Sequence, residues 1–211
     1  VAVMCGRSLI ADPYWPKKAL VGRDADIVPC LRCMHCYHIA TEHWNIQCSV
    51  NPRFRRENRV PRKLEKTVKP KTVVVVGGGP AGMKAVLTAE EQGHHVILLE
   101  RAAQLGGQLN WADYDDYKKE LKAYREYLIR QIVKSSVEVR LETEATPEMI
   151  ASLAPDDLIL GLGAEFITPR IPGAEYARQA VTLYPELDSA QGRFVIIGGG
   201  TIGTELALEL A

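Results

Sequence analysis

The chain has no net charge to spend: 26 Lys and Arg stand against 26 Asp and Glu over 211 residues. That balance gives no electrostatic reason to hold nucleic acid or an anionic membrane surface. No apolar run is long enough to span a bilayer, and no signal peptide opens the sequence. A dispersed disulfide framework is absent too, because four of the five Cys crowd between Cys30 and Cys48. No Gly-Lys-Ser/Thr follows a glycine-rich turn, which excludes a Walker phosphate loop. The sequence starts on Val1 and stops eight residues after Gly203, so it reads as an internal piece of a larger protein. Its length suits one large or two small domains.

What is present is a motif that occurs twice. Thr72–Gly82 reads TVVVVGGGPAG, and Phe194–Gly203 reads FVIIGGGTIG. Each is an expected strand running into G-x-G-x-x-G and then an expected helix. The first glycine permits the tight turn, and the second lets the backbone approach a pyrophosphate. The third lets helix and strand pack closely, and the helix N-terminus faces the phosphate charge. In the first copy these are Gly77, Gly79 and Gly82, and in the second Gly198, Gly200 and Gly203. Glu100 lies 23 residues after Gly77, at the end of the next expected strand, where a carboxylate accepts from a ribose diol. Two dinucleotides on one protein point to hydride or electron transfer between them. Gly106-Gly107-Gln108 would let a loop lie close to a ligand, or is an ordinary loop.

The coarse pattern around the first copy is α/β. Strands are expected at Thr72–Val76, Val96–Leu99, Val137–Leu141 and Leu158–Leu160, with a helix over Ala81–Gln92 closed by Gly93. Asp113 or Asp115 is placed to cap a long helix carrying Leu121, Tyr124, Leu128 and Ile132 on one face. Thr146-Pro147 reads as N-cap and first helical position. Asp12-Pro13 and Trp15-Pro16 interrupt any helix over Ser8–Ala19. Asn51–Lys71 carries nine Lys or Arg against two Glu and three Pro, which reads as a solvated linker.

Cys30, Cys33, Cys36 and Cys48 follow C-x2-C-x2-C-x11-C. Four thiolates hold either a [4Fe–4S] cluster or zinc. Structural zinc sites usually split into two C-x2-C pairs, whereas three close Cys and one remote suit a cubane wrapped by one loop. Such crowding favours metal in an intracellular chain, so a cytoplasmic location is expected. His35, His38 and His43 are read as neighbours or surface residues rather than ligands, and Cys5 as an ordinary buried residue.

In this order the motifs resemble the multidomain NADH:flavin oxidoreductases, the group of 2,4-dienoyl-CoA reductase, 2-enoate reductase and trimethylamine dehydrogenase. GRSLIADPYWP at Gly6–Pro16 looks like the end of that family's flavin-binding TIM barrel. CLRCMHC and CSVNP look like its cluster segment. VVVVGGGPAGM, LLE and LGGQL look like its FAD/ADP domain, and IPGAE with VIIGGGTIGTE like the entry to its NAD(P)H domain. The resemblance implies a Rossmann-like FAD/NAD(P)-binding fold preceded by an irregular iron–sulfur segment and the end of a TIM barrel. The expected boundaries are 1–22, 23–70, 71–170 and 171–211 for barrel end, cluster segment with linker, FAD domain and NAD(P)H domain.

It also implies electron flow from NAD(P)H to FAD, through [4Fe–4S], to FMN and an activated C=C bond of a small-molecule substrate. Gly6 and Arg7 then meet the FMN phosphate. Gly77, Gly79, Pro80, Ala81, Gly82, Glu100, Gly107, Gln108 and Gly163 meet FAD, and Gly198, Gly200 and Gly203 meet NAD(P)H. Two positions depart from the family pattern: Gly161-Leu162-Gly163 stands where Ala-Thr-Gly is common, and the third Cys spacing matches the amine dehydrogenase branch. No residue here is assigned as catalytic. An amine dehydrogenase, a non-catalytic electron-transfer module and a zinc-stabilised FAD/NAD(P)H reductase stay open as alternatives. No nucleic-acid or membrane partner is expected, and a homo-oligomer is compatible with the reading.

Overall fold

A computed structural model describes residues 2–42, 46–61 and 64–211. Its centre is β1 (Thr72–Val76), β2 (His95–Leu99), β3 (Glu138–Arg140) and β4 (Asp157–Leu160), a parallel sheet in the order β3-β2-β1-β4. β1 and β2 are buried on both faces, as continuous β-branched and aliphatic runs demand. On one face Val73, Val75, Val96 and Leu98 pack against Met83 and Val86 of helix α4 (Pro80–Glu91) and Leu128 and Ile132 of helix α6 (Lys119–Lys134). On the other, Val74, Val76, Ile97 and Leu99 meet Met149, Ile150 and Leu153 of helix α7 (Pro147–Leu153). Each fully buried aliphatic side chain here contributes about 1.5–3 kcal/mol. This is the layered α/β fold the sequence pattern implies.

Local signals explain the element ends. Gly93, at φ 86°, follows α4 as expected. Thr146 caps α7, its Oγ1 accepting from Met149 N at 3.2 Å, with Pro147 in the first turn. The capping assignment for α6 needs correction. That helix starts at Lys119, behind the short helix α5 (Leu109–Ala112) and a 3-10 turn at Asp116–Lys118, and neither Asp113 nor Asp115 caps it with a side chain. Asp113 instead pairs with Arg125 at 2.6 Å, and Asp115 with Lys118 at 3.0 Å.

Before the sheet lie helices α1 (Arg7–Ala11), α2 (Trp15–Leu20) and α3 (His35–Thr41). Asp12-Pro13 separates α1 from α2, as the Pro pattern requires. Residues 2–5 form no strand; Val3 and Met4 are exposed, and a strand needs a ladder partner that no described residue supplies. The described part of the basic linker has no helix or strand.

After the sheet, three 3-10 turns lead to helix α8 (Thr201–Glu209). Tyr184, Leu187 and Leu206 form a small core with Ile196 and Leu210. Phe194–Ile197, expected as a strand, carries no ladder, since no described strand lies beside it. Among the described residues no helix is long and apolar enough to cross a membrane.

Candidate functional site

The first fingerprint sits at the C-terminal end of β1, between β2 and β4. In open α/β sheets ligands bind there, at the point where strand order reverses. Its three glycines are glycine for different reasons. Gly77 turns at φ 105°, and a Cβ on it would lie 2.3 Å from the Gly161 carbonyl oxygen. A Cβ on Gly82 would collide with the Gly77 carbonyl oxygen. Both are required by the fold. Gly79 is not: its φ of −72° and ψ of 179° suit any residue, and a Cβ there would meet only Gly107 Cα, at 3.9 Å. What a side chain at Gly79 would block is space outside the protein, above the N-terminus of α4. That terminus has no side-chain cap, so its first N–H groups stay available to an anion.

Glu100 is 8% exposed at the end of β2. Its Oε2 accepts from Gly78 N at 2.5 Å and its Oε1 from Ala102 N at 2.7 Å. The carboxylate is thus held against the fingerprint turn, and each oxygen keeps a second lone pair for a ribose hydroxyl. Gly106 N donates to Gly78 O at 2.9 Å, which brings Gly107 against Gly79. Gln108 Nε2 donates to Ala164 O at 2.6 Å and so joins this loop to the one holding Gly163, at φ 76°. Gly77, Gly79, Pro80, Ala81, Gly82, Glu100, Gly107, Gln108 and Gly163 therefore surround one rim of the sheet.

The second fingerprint repeats the local backbone. Gly198 turns at φ 109°, Gly200 holds φ −75° and ψ −179°, and a Cβ on Gly203 would collide with the Gly198 carbonyl oxygen. The N-terminus of α8 also lacks a side-chain cap. This unit is tied to the first through Lys118, whose Nζ lies 3.0 Å from Asp115 Oδ2 and 2.5 Å from Glu205 Oε2. Tyr114 packs on Tyr184 at 5.3 Å. Asp115 is 3% exposed. Glu209 beside it is held above the usual carboxylate range, first by its hydrogen bond to Asp115 and then by burial.

Cys30, Cys33, Cys36 and Cys48 are free thiols lining a single pocket. Around them lie apolar Ile10 and Val50, cationic Arg7 and Arg32, and the Ser49 hydroxyl, 3.3 Å from Cys33 Sγ, with no carboxylate among the described lining residues. That donor set fits an anionic cluster. Among the described residues no three His, Cys, Asp or Glu donors gather around one point as a single ion needs. Arg32 and Met34 take left-handed φ of 51° and 56° on either side of Cys33. Two such non-glycine residues in one loop store strain, which tends to collect at ligand sites. His35 and His38 do not line the pocket, and His43 lies outside the described residues.

Arg7 lines the same pocket, and its Nη1 reaches Met34 Sδ at 3.0 Å; Gly6 precedes it as the N-cap of α1. The cysteine segment rests on α6. Asp26 accepts from Lys134 at 2.6 Å and Gln131 at 3.2 Å, and Arg32 pairs with Glu120 at 3.1 Å. The Lys134 bond, then Arg23 and Gln131, hold the Asp26 carboxyl far below its ordinary range. Burial, and then the Cys48 thiol, push Tyr124 on α6 upward. Sequence reasoning missed this docking because Asp26 and Glu120 belong to no motif and Arg32 is an unspecified position between Cys30 and Cys33.

A family model described as pyridine nucleotide-disulphide oxidoreductase matches residues 71–211. The chain is 42% identical to an NADH oxidase of Thermoanaerobacter brockii, covering 99% of this chain and 33% of that protein. It is 32% identical to a cinnamate reductase of Clostridium sporogenes, over 99% of this chain and 31% of the relative. A solved 2-naphthoyl-CoA reductase in complex with 2-naphthoyl-CoA superposes with a TM-score of 0.83 and 31% identity, over 97% of this chain and 31% of that one. The chain thus spans about a third of the length of the curated relatives it matches. It belongs to the pyridine nucleotide-disulphide oxidoreductase family, in the group of 2-enoate reductases, 2,4-dienoyl-CoA reductases and trimethylamine dehydrogenases.

Proposed function

We propose that this chain is the cluster- and dinucleotide-binding part of a longer flavoprotein oxidoreductase. In it NAD(P)H, FAD, a [4Fe–4S] cluster and FMN would carry reducing equivalents, in that order, to an activated C=C bond. The observation that carries the reading is the placement of four free thiols around one pocket, docked on α6 of a dinucleotide fold whose Gly79 has no structural need to be glycine. The names of the relatives, a cinnamate reductase and a 2-naphthoyl-CoA reductase, favour a conjugated enoate or acyl-CoA as substrate.

This chain's own residues bind and orient. Gly79 and the open N–H groups of Ala81 and Gly82 receive the FAD pyrophosphate, and Glu100 its ribose. Gly200 and α8 receive NAD(P)H. Cys30, Cys33, Cys36 and Cys48 ligate the cluster, and Arg7 with Gly6 meets the FMN phosphate. The free thiols suit a reducing compartment, in keeping with a cytoplasmic protein. The test is metal and flavin analysis of the anaerobically purified parent protein, with enoate reduction by NAD(P)H. About four irons per chain, FAD and FMN are expected. Stoichiometric zinc without iron would replace this reading with that of a zinc-stabilised reductase.

A further inference from the structure

The motifs GRSLIADPYWP and CSVNP contain two polar residues whose side chains turn to the backbone of this segment, Asp12 and Asn51. Both are fully engaged. Asp12 is 2% exposed. Its Oδ1 accepts from Tyr14 N at 2.9 Å, and its Oδ2 from Lys18 Nζ at 2.6 Å and Val28 N at 2.9 Å. Lys18 Nζ also donates to Asp26 O at 2.7 Å. The C-terminal end of α1 is thereby tied to the chain two residues before Cys30. Asn51 follows Cys48 by three residues. Its Nδ2 donates to Ile10 O at 2.7 Å, while its Oδ1 accepts from Arg53 N at 3.1 Å.

So α1 is held from both legs of the cysteine loop, the entering leg through Asp12 and the leaving leg through Asn51. A helix of five residues cannot hold itself and takes its place from such ties. A third link, Arg7 Nη1 to Met34 Sδ, joins the start of α1 to the middle of the loop. Three ties at separate points fix rotation as well as translation.

We propose that Asp12 and Asn51 are positioning residues for electron transfer: their clamps on α1 hold Arg7, and the flavin phosphate it anchors, at a fixed distance from the cluster. The inference rests on reading Arg7 as the FMN phosphate contact and the four Cys as cluster ligands. It goes further by assigning the coupling between those two groups to two residues that touch neither. Loosening a clamp leaves every ligand in place and changes only the separation and orientation of the centres.

The test is anaerobic rapid mixing with NAD(P)H of the parent holoprotein, as wild type, Asn51→Asp and Asp12→Asn. Asn51→Asp still accepts from Arg53 N but can no longer donate to Ile10 O. Iron, FAD and FMN contents should match wild type, and FAD and the cluster should be reduced at the wild-type rate. The later reduction of FMN should slow by about tenfold, the kind of loss expected when two reacting centres leave their held separation and orientation. An unchanged FMN phase in both variants would overturn the proposal. So would parallel loss of iron and both flavins, which would make the two residues plain props of the fold. Wild-type protein lacking iron or FMN would instead fail the underlying reading, and this inference with it.

Discussion

Gly77 and Gly198 both turn at positive φ, Gly79 and Gly200 share one extended conformation, and Gly82 and Gly203 each sit against the carbonyl of the first glycine. Around this common backbone the two surroundings differ. Gly77 is pressed by Gly161 from β4's end, and Gly78 by Leu105 and Glu100; Gly198, Gly199 and Gly200 have no such neighbour within 4 Å. β1 is paired on both sides, while Phe194–Ile197 has no ladder among the described residues and leaves Val195 85% exposed. The turn geometry is therefore local, written in the glycine spacing. The site is not local: it needs the strands and loops that supply the acid, the second glycine loop and the walls.

The comparison can be broken most severely at the third glycine. Gly82→Ala places a Cβ on the Gly77 carbonyl and should destabilise the fold by about 3 kcal/mol, the upper range for overpacking. Gly203→Ala makes the same local clash but should lower the main denaturant transition far less, because its unit has only the small Tyr184–Leu187–Leu206 core. Equal loss in the two melts would show that the second unit is as integral as the first.

The second glycine separates binding from folding. Gly79→Val should keep the melt near wild type while FAD affinity falls at least ~100-fold, about 3 kcal/mol. Gly200→Val should spare FAD and slow flavin reduction by NAD(P)H, with reduction by dithionite unchanged. An unfolded Gly79→Val would mean that its glycine is structural after all.

A smaller effect is expected at Glu100→Gln. The amide turns one acceptor into a donor facing Gly78 N or Ala102 N, a loss of about 1–3 kcal/mol in stability, with weaker FAD retention. Unchanged stability in a melt would show that the carboxylate does not brace the turn.

The smallest effect concerns how the units meet. Glu209 faces Asp115, Asp116 and Lys118, with Glu205 on its own helix and Tyr114 and Tyr184 nearby. Its raised value means that the docked form binds a proton more tightly than the undocked form. Docking is then strongest below the ordinary carboxylate range and weakens as pH rises through the raised value. Hydrogen exchange in α8 should quicken modestly across that window, and Glu209→Gln should flatten the dependence. A Glu209→Gln profile identical to wild type would assign the effect elsewhere.

Much of this was legible beforehand because the chemistry is sequence-local. The glycine turns, the Thr146-Pro147 start of α7 and the β1–α4–β2 unit each rest on neighbours within a few residues or on strong periodicity. What escaped the sequence depends on distant partners. The capping assignment at Asp113 and Asp115 went wrong because Arg125 and Lys118 claim those carboxylates. Phe194–Ile197 has strand propensity but no described strand beside it, and propensity without a ladder makes no sheet. The clamps of Asp12 on Val28 and Asn51 on Ile10 span 16 and 41 residues, and no spacing rule announces them.

The central claim is that the two fingerprints hold different dinucleotides, FAD over Gly79 and NAD(P)H over Gly200. A crystal structure of the parent protein with FAD and NAD(P)H bound tests it most directly. The account predicts the FAD pyrophosphate above Gly79 at the N-terminus of α4, its adenosine ribose on Glu100, and the nicotinamide dinucleotide at Gly200 and α8. FAD seated over Gly200, or a first fingerprint whose rim is filled by protein side chains, would contradict it.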